Sequence, residues 1–161
     1  MKKVIVGKKN GKSVLQIYSS IDSRNVSEQK ILKKYPLIFR QKDLPMTQTC
    51  MCWGLDVGQG WHKLIDTLCA SIQGYIDANA KHNPNIHQVE AVQVKEKFGG
   101  LRFYTNGEDE VIHGMIWFAE HLSNYICEDC GTMDNVTQSE GWITTLCEKC
   151  RKKRSEDKHN T

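Results

Sequence analysis

The chain has 161 residues, 39% of them apolar and 25% charged, with a formal net charge of +3. That length gives room for one core and a small satellite module, and the composition excludes a disordered or fibrous chain. The charge is too small to mark a nucleic-acid binder by itself, and no apolar run has the length of a secretory signal or a membrane span, so an intracellular protein with reduced cysteines is expected.

In chain order, Val4-Ile-Val and Val14-Leu-Gln-Ile17-Tyr18 flank Asn10-Gly11, the dipeptide that best tolerates two positive φ angles, and predict a β-hairpin over 1–20. Asn25 with Glu28 makes a capping box for a short helix carrying Val26, Ile31 and Leu32, which Tyr35-Pro36 stops. Residues 36–57 show little periodicity and are expected to be irregular. Gly58-Gln-Gly60 then leads into the clearest helix, roughly residues 60–81. Trp61, Leu64, Ile65, Leu68, Ile72, Tyr75 and Ile76 fall there on one stripe, with Cys69 beside it. Two strands follow, Val89 to Glu96 and Leu101 to Thr105, around a turn at Lys97-Phe98-Gly99-Gly100. Alternation puts Leu101 and Phe103 on one face and Arg102 and Tyr104 on the other. A second helix is predicted over 109–126, with Val111, Met115, Phe118, Ala119, Leu122 and Ile126 as its buried stripe. It runs straight into Cys127. Trp142 to Leu146 reads as a strand, and the polar residues 151–161 as a disordered basic end.

The charges are unevenly spread. Residues 1–20 hold five lysines and no acid; between Arg102 and Lys149 lie nine acids and no Lys or Arg. Lys149, Arg151, Lys152, Lys153 and Arg154 then come almost together.

The strongest chemical signal is Cys127-Glu-Asp-Cys130, sixteen residues, then Cys147-Glu-Lys-Cys150. Two Cys-x-x-Cys turns at this separation aim four sulfurs at one ion and predict a zinc knuckle or ribbon. Gly131 suits the positive φ such a knuckle needs. Four thiolates leave no open coordination position, so the zinc is structural. Two disulfides or a redox pair are the alternatives. Cys50, Cys52 and Cys69 are left over; with His62 they could form a second metal site, although Cys-x-Cys is a poor template, and Cys69 could act as a nucleophile with His113 or His121 as base.

The expected fold is therefore α+β: a small antiparallel sheet packed with two main helices, plus the C-terminal zinc module. The domain reading is a hairpin over 1–20, a core over 21–126, a zinc module over 127–150 continuous with the preceding helix, and a basic tail over 151–161.

Gly58-Gln-Gly60-Trp61-His-Lys-Leu-Ile-Asp-Thr-Leu-Cys69, the block Val94-Lys-Glu-Lys-Phe-Gly-Gly-Leu-Arg-Phe-Tyr104, Ile126-Cys-Glu-Asp-Cys-Gly131 and Gly141-Trp-Ile-Thr-Thr-Leu-Cys147 together resemble small proteins of phage and prophage genomes. The resemblance covers about residues 52–150. It implies a phage origin, a bacterial cytoplasmic location and the zinc module, and supplies no catalytic residues.

Two surface candidates remain. Lys95, Lys97 and Arg102 surround the Gly-Gly turn with Glu96 and could hold phosphates with exposed backbone N–H groups, or form a plain charged hairpin. Gly58-x-Gly60 at a helix start is a second, weaker anion candidate. His113, Trp117 and His121 recur every four residues away from the predicted stripe, either packing on another part of the chain or contacting a partner or a second copy. With no acid–base pair evident, a binding protein is expected rather than an enzyme: an accessory protein engaging a host or phage macromolecule, with counter-defence or regulatory effect. The alternatives are a protein that binds or degrades a nucleotide signal through the basic hairpin, and a DNA-binding zinc protein using the basic tail.

Overall fold

A computed structural model of the chain describes residues 26–159 together with Lys8–Lys9 and Lys12–Ser13. Strands β1 (Lys8–Lys9) and β2 (Lys12–Ser13) pair antiparallel with Lys9 opposite Lys12, leaving Asn10-Gly11 between them. The outer arms of the predicted hairpin and the Asn25 cap lie outside the described residues.

Helix α1 covers 26–34, stops before Tyr35-Pro36, and buries Ile31 and Leu32. Its Glu28 carboxylate accepts the N–H of Leu55 at 2.8 Å. The stretch after it, expected to be irregular, instead contributes to the core. It carries two 3₁₀ turns (Arg40–Asp43 and Met51–Trp53) and a two-residue strand β3 (Leu55–Asp56), and it fully buries Ile38, Phe39 and Met51. The backbone explains this better than the side-chain pattern. Ile38 O accepts Ala91 N–H at 2.8 Å and Thr49 Oγ1 reaches Val92 O, so the segment covers the N-terminal edge of the next strand.

After a 3₁₀ turn at Gln59–Trp61, α2 runs over His62–Asn79, and the two together bury Trp61, Ile65, Leu68, Cys69, Ile72 and Ile76. Strand β4 (Glu90–Lys97) and β5 (Gly100–Asn106) follow as the predicted hairpin. Phe98 at φ 54° and Gly99 at φ 73° form the two-residue turn, both left-handed as the twist of a tight hairpin requires. The sheet order is β3-β4-β5. The sheet is thus antiparallel at β4–β5, as expected, and gains β3 in parallel through the α2 crossover. Leu101 and Phe103 face the core and Tyr104 faces out.

Helix α3 spans Glu110–Ser123, with the Asp109 carboxylate accepting Ile112 N–H at 2.9 Å as N-cap. It runs antiparallel to α2: Tyr75 Oη donates to Asp109 Oδ2 at one end and Trp61 Nε1 donates to Ile126 O at the other, each at 2.8 Å. The predicted stripe holds in part: Ala119 is buried and Met115 and Ile126 pack against the core, but the centre of the buried face lies one residue further on. Ile112, Ile116, Ala119 and Ser123 are buried, whereas Val111 and Phe118 are exposed. What fixes the phase is the free edge of β5. Ser123 Oγ accepts Leu101 N–H and Glu120 Oε1 accepts Phe103 N–H, each at 2.9 Å, so two polar side chains must face inward.

The C-terminal module pairs β6 (Val136–Gln138) with β7 (Thr145–Cys147), and α4 (Glu148–His159) starts inside the second knuckle. The tail expected to be disordered is therefore helical to His159. Its polar composition hides three anchors. Arg154 makes a two-bond pair with Asp129, Arg151 Nη2 donates to Thr137 O at 2.6 Å, and Lys152 pairs with Glu148 one turn back.

Candidate metal centre

Cys127 and Cys130 sit on a turn after α3; Cys147 ends β7 and Cys150 lies in the first turn of α4. The β6–β7 pairing brings the two turns together, and the four Sγ atoms lie within 4.8 Å of one another. Cys130 Sγ and Cys147 Sγ are 3.7 Å apart. A tetrahedron with metal–sulfur bonds near ~2.3 Å has edges of about 3.8 Å, so this spacing fits four bonds to one ion. It is far from the ~2.05 Å of a disulfide, and all four cysteines are free thiols.

The backbone is shaped for this. Gly131 stands at φ 78° and donates its N–H to Cys127 O at 2.8 Å, and Cys150 N–H points at Cys147 Sγ. Burial works against a Cys127 thiolate, but the backbone N–H groups of Cys147, Cys130 and Asp129 outweigh it and bring that thiol down to about 7. Burial and the neighbouring thiols push Cys150 the other way. Four crowded sulfurs of this kind hold their negative charge together only around a cation. The set is closed, with no side-chain donor replaced by an open position, as in structural metal sites.

The module is clasped to the core by residues whose purpose the sequence did not reveal. Gly60 N–H donates to Glu128 O at 2.7 Å, and Gly58 N–H to Glu128 Oε1 at 3.0 Å. A Cβ on Gly60 would lie under 3.0 Å from Cys127 O, Gly131 N and Glu128 O, and one on Gly58 equally close to Glu128. The Gly-x-Gly segment thus does meet an anion, but it is the chain's own buried Glu128. Burial raises the Glu128 carboxyl above its ordinary range, with the Gly58 N–H and Arg154 pulling the other way. At the opposite side, Thr145 Oγ1 donates to Gly99 O at 2.5 Å, and Gln138 bonds Asn124 and Thr145. The Gly99-Gly100 turn is glycine-rich because β7 and the end of α3 approach it closely.

Comparison with protein-family models, with curated proteins and with solved structures finds no match. What the protein does is then to be read from its own surfaces.

Among the described residues, the metal-ligand types converge in no second group. Cys69 is fully buried among the α2 core residues, with burial pushing its thiol up; Cys50 is exposed; Cys52 donates to Thr49 O; and His62 meets Ser27 Oγ. His113 and His121 are exposed on α3, so the structure does not bring Cys69 to either. Trp117 is 55% exposed and stacks on His121 with ring centroids 3.8 Å apart. His113 bonds Glu108 instead.

Lys95 and Arg102 are direct cross-strand partners, and Lys97 lies two residues along β4 from Lys95, so all three side chains share the outer face of the sheet. Among the described residues none of the three has a carboxylate within 4.0 Å. Glu96 faces the other way and accepts Gly99 N–H at 2.6 Å. That bond removes one backbone donor from the imagined phosphate cradle and leaves the cations unneutralised. No helix of the described residues is long and apolar enough to cross a membrane.

Proposed function

We propose that this is a phage-encoded, zinc-stabilised accessory protein that acts by binding. Its contact is the Lys95–Lys97–Arg102 face, which engages an acidic surface on a host or phage macromolecule and so counters a host defence or modulates regulation. The observation that carries this is the row of three cations on one sheet face, none with a carboxylate within 4.0 Å among the described residues, since unneutralised charge of one sign attracts and orients a partner of the other. Zinc is the ion best suited to four thiolates in a closed tetrahedron, and its role there is to hold the module that buttresses the hairpin. The basic helix α4 is a weaker contact, because Arg151 and Arg154 are turned inward and Lys152 is paired.

The test is a pair of charge reversals, Lys97→Glu and Arg102→Glu, with elemental analysis for zinc and capture of partners from a bacterial lysate. Both variants should keep their zinc and their melting temperature and lose the captured partner. Capture unchanged in both folded variants rules the face out; unfolding of Arg102→Glu alone makes Arg102 a structural residue, and Lys97→Glu then decides.

A further inference from the structure

Beyond the charge itself, the outer sheet face carries the exposed ring of Tyr104, and the hairpin tip beside Lys97 carries that of Phe98. We propose that this face is a platform for single-stranded nucleic acid, with Arg102, Lys95 and Lys97 taking phosphates and the Tyr104 and Phe98 rings taking bases. This rests on the reading above that the cationic face is the contact surface, and it names the partner.

The register places the groups together. Lys95 lies opposite Arg102, and Gln93 opposite Tyr104. Lys95 Nζ stands 5.9 Å from the centroid of the Tyr104 ring, and Lys97 Nζ stands 5.4 Å from that of Phe98, so each ring has a cation beside it. The inner face is already spent on Val94, Leu101 and Phe103, which are buried. The register puts two carboxylates on that face among the described residues, Asp56 opposite Lys95 on β3 and Glu90 opposite Asn106, and Glu90 is already paired with Arg40, which leaves the face cationic on balance.

The rings discriminate between partners. An acidic protein surface would be satisfied by the cations alone, with no use for aromatic faces. Tyr104 is 40% exposed and Phe98 69%. Phe98 also holds φ 54°, a left-handed conformation that a bulky residue adopts at a cost and that Asn or Gly adopts readily. An apolar ring kept at a hairpin tip against both solvent and backbone preference is explained by a contact outside the fold. Alternating rings and cations are what unpaired bases and their backbone require: every base offers a π-face, and every linkage a phosphate.

The geometry selects a strand over a duplex and over a single nucleotide. The bases of a duplex are hidden in their stack, where the Tyr104 and Phe98 rings have no base face to cover. From Gly100 to Tyr104 the strand runs roughly 13 Å, which spreads the cations along a chain of phosphates instead of gathering them on one. Beyond Tyr104 the face opens into a shallow depression of about 600 Å³ whose wall includes Thr47, Gln48 and Gln93, polar groups able to bond the edge of a base.

The experiment measures binding of the full chain, zinc loaded, to labelled oligothymidylate and oligouridylate of about twenty nucleotides, to a duplex of the same length, and to a mononucleotide. Single strands should bind at least about tenfold more tightly than the duplex, with log K falling against log salt at a slope near −2, three contacts at about −0.7 each. Lys97→Gln should reduce that slope by about 0.7. Tyr104→Ala and Phe98→Asn should each weaken binding roughly five- to hundredfold, and Phe98→Asn should fold as stably as the parent or more so, because Asn suits the left-handed position. Equal binding of duplex and strand, a mononucleotide that binds as tightly as the strand, or ring variants that bind as the parent does would each overturn the proposal. If no oligonucleotide binds while the charge reversals still abolish capture of a protein partner, this inference fails and the broader reading stands. If the reversals abolish nothing, both fall.

Discussion

Gly60 shows how much one missing side chain decides. Its N–H bonds Glu128 O, its Cα faces the Cys127–Gly131 knuckle, and any Cβ there would overlap three backbone atoms, none of them able to swing aside. Gly60→Ala should therefore cost about 2–3 kcal/mol and loosen the metal with it, read as a lower melting temperature and faster metal release to a chelator. Gly114 is the control. It lies on the exposed side of α3, where an added methyl group would meet nothing within 4 Å, so Gly114→Ala should gain roughly 0.5–1 kcal/mol from helix propensity alone. Equal effects from the two substitutions would show that close approach at Gly60 is not what the glycine is for. The sequence displays Gly58-x-Gly60 plainly, yet a glycine pair looks the same whether it frees N–H groups for a ligand or lets two segments of one chain touch. Only the position of Glu128, some seventy residues away, distinguishes the two.

At the scale of elements, α2 and α3 make an instructive pair. On α2 the apolar residues form one stripe, and the helix turns that stripe inward. On α3 apolar residues spread over two adjoining stripes. Of the expected Val111, Met115, Phe118, Ala119, Leu122 and Ile126, Ala119 is buried and Met115 and Ile126 pack on the core, while Ile112, Ile116 and Ser123 are buried in place of Val111 and Phe118. The choice belongs to the β5 edge, whose N–H groups need the Ser123 hydroxyl and the Glu120 carboxylate as acceptors. Ile116→Ala should thus cost about 2–5 kcal/mol, while Phe118→Ala, at a side chain 62% exposed, should stay within about 0.5 kcal/mol. Denaturant melts of the two variants check this, and a large loss at Phe118 would mean that another surface covers that stripe. Helix α4 was illegible for a different reason. It has no apolar periodicity to display, and it persists because a knuckle starts it and Arg151 and Arg154 tie it to β6 and Asp129.

For the whole molecule, the question is whether the metal holds the protein or only its C-terminal part. Two hydrophobic clusters exist among the described residues: a large one built from α1, α2, α3 and the three-stranded sheet, and a small one of Cys127, Leu146 and Cys147 with Val136 and Cys150 packed on it. The small cluster is too slight to fold without its ion, and metal affinity in such modules is folding energy. The large cluster contains none of the ligands. Its link to the module is the clasp at Gly58, Gly60 and Trp61 and the Thr145–Gly99 bond. Stripping the metal with a chelator, or replacing Cys127 by Ser, should therefore unfold residues 127–159 while the α2 helix and the β4–β5 hairpin keep their protected amides. Hydrogen exchange resolves the two regions directly. Trp61, fully buried with its indole N–H bonded to Ile126 O, should report the loss of the clasp as a change in its fluorescence. Because Gly99 loses its partner on β7, the hairpin tip that carries Phe98 and Lys97 should loosen even though its strands remain paired. Any binding at the cationic face should accordingly weaken on metal removal without vanishing. Exchange that rises uniformly across the chain would show instead one cooperative unit, with the ion at the root of the whole fold.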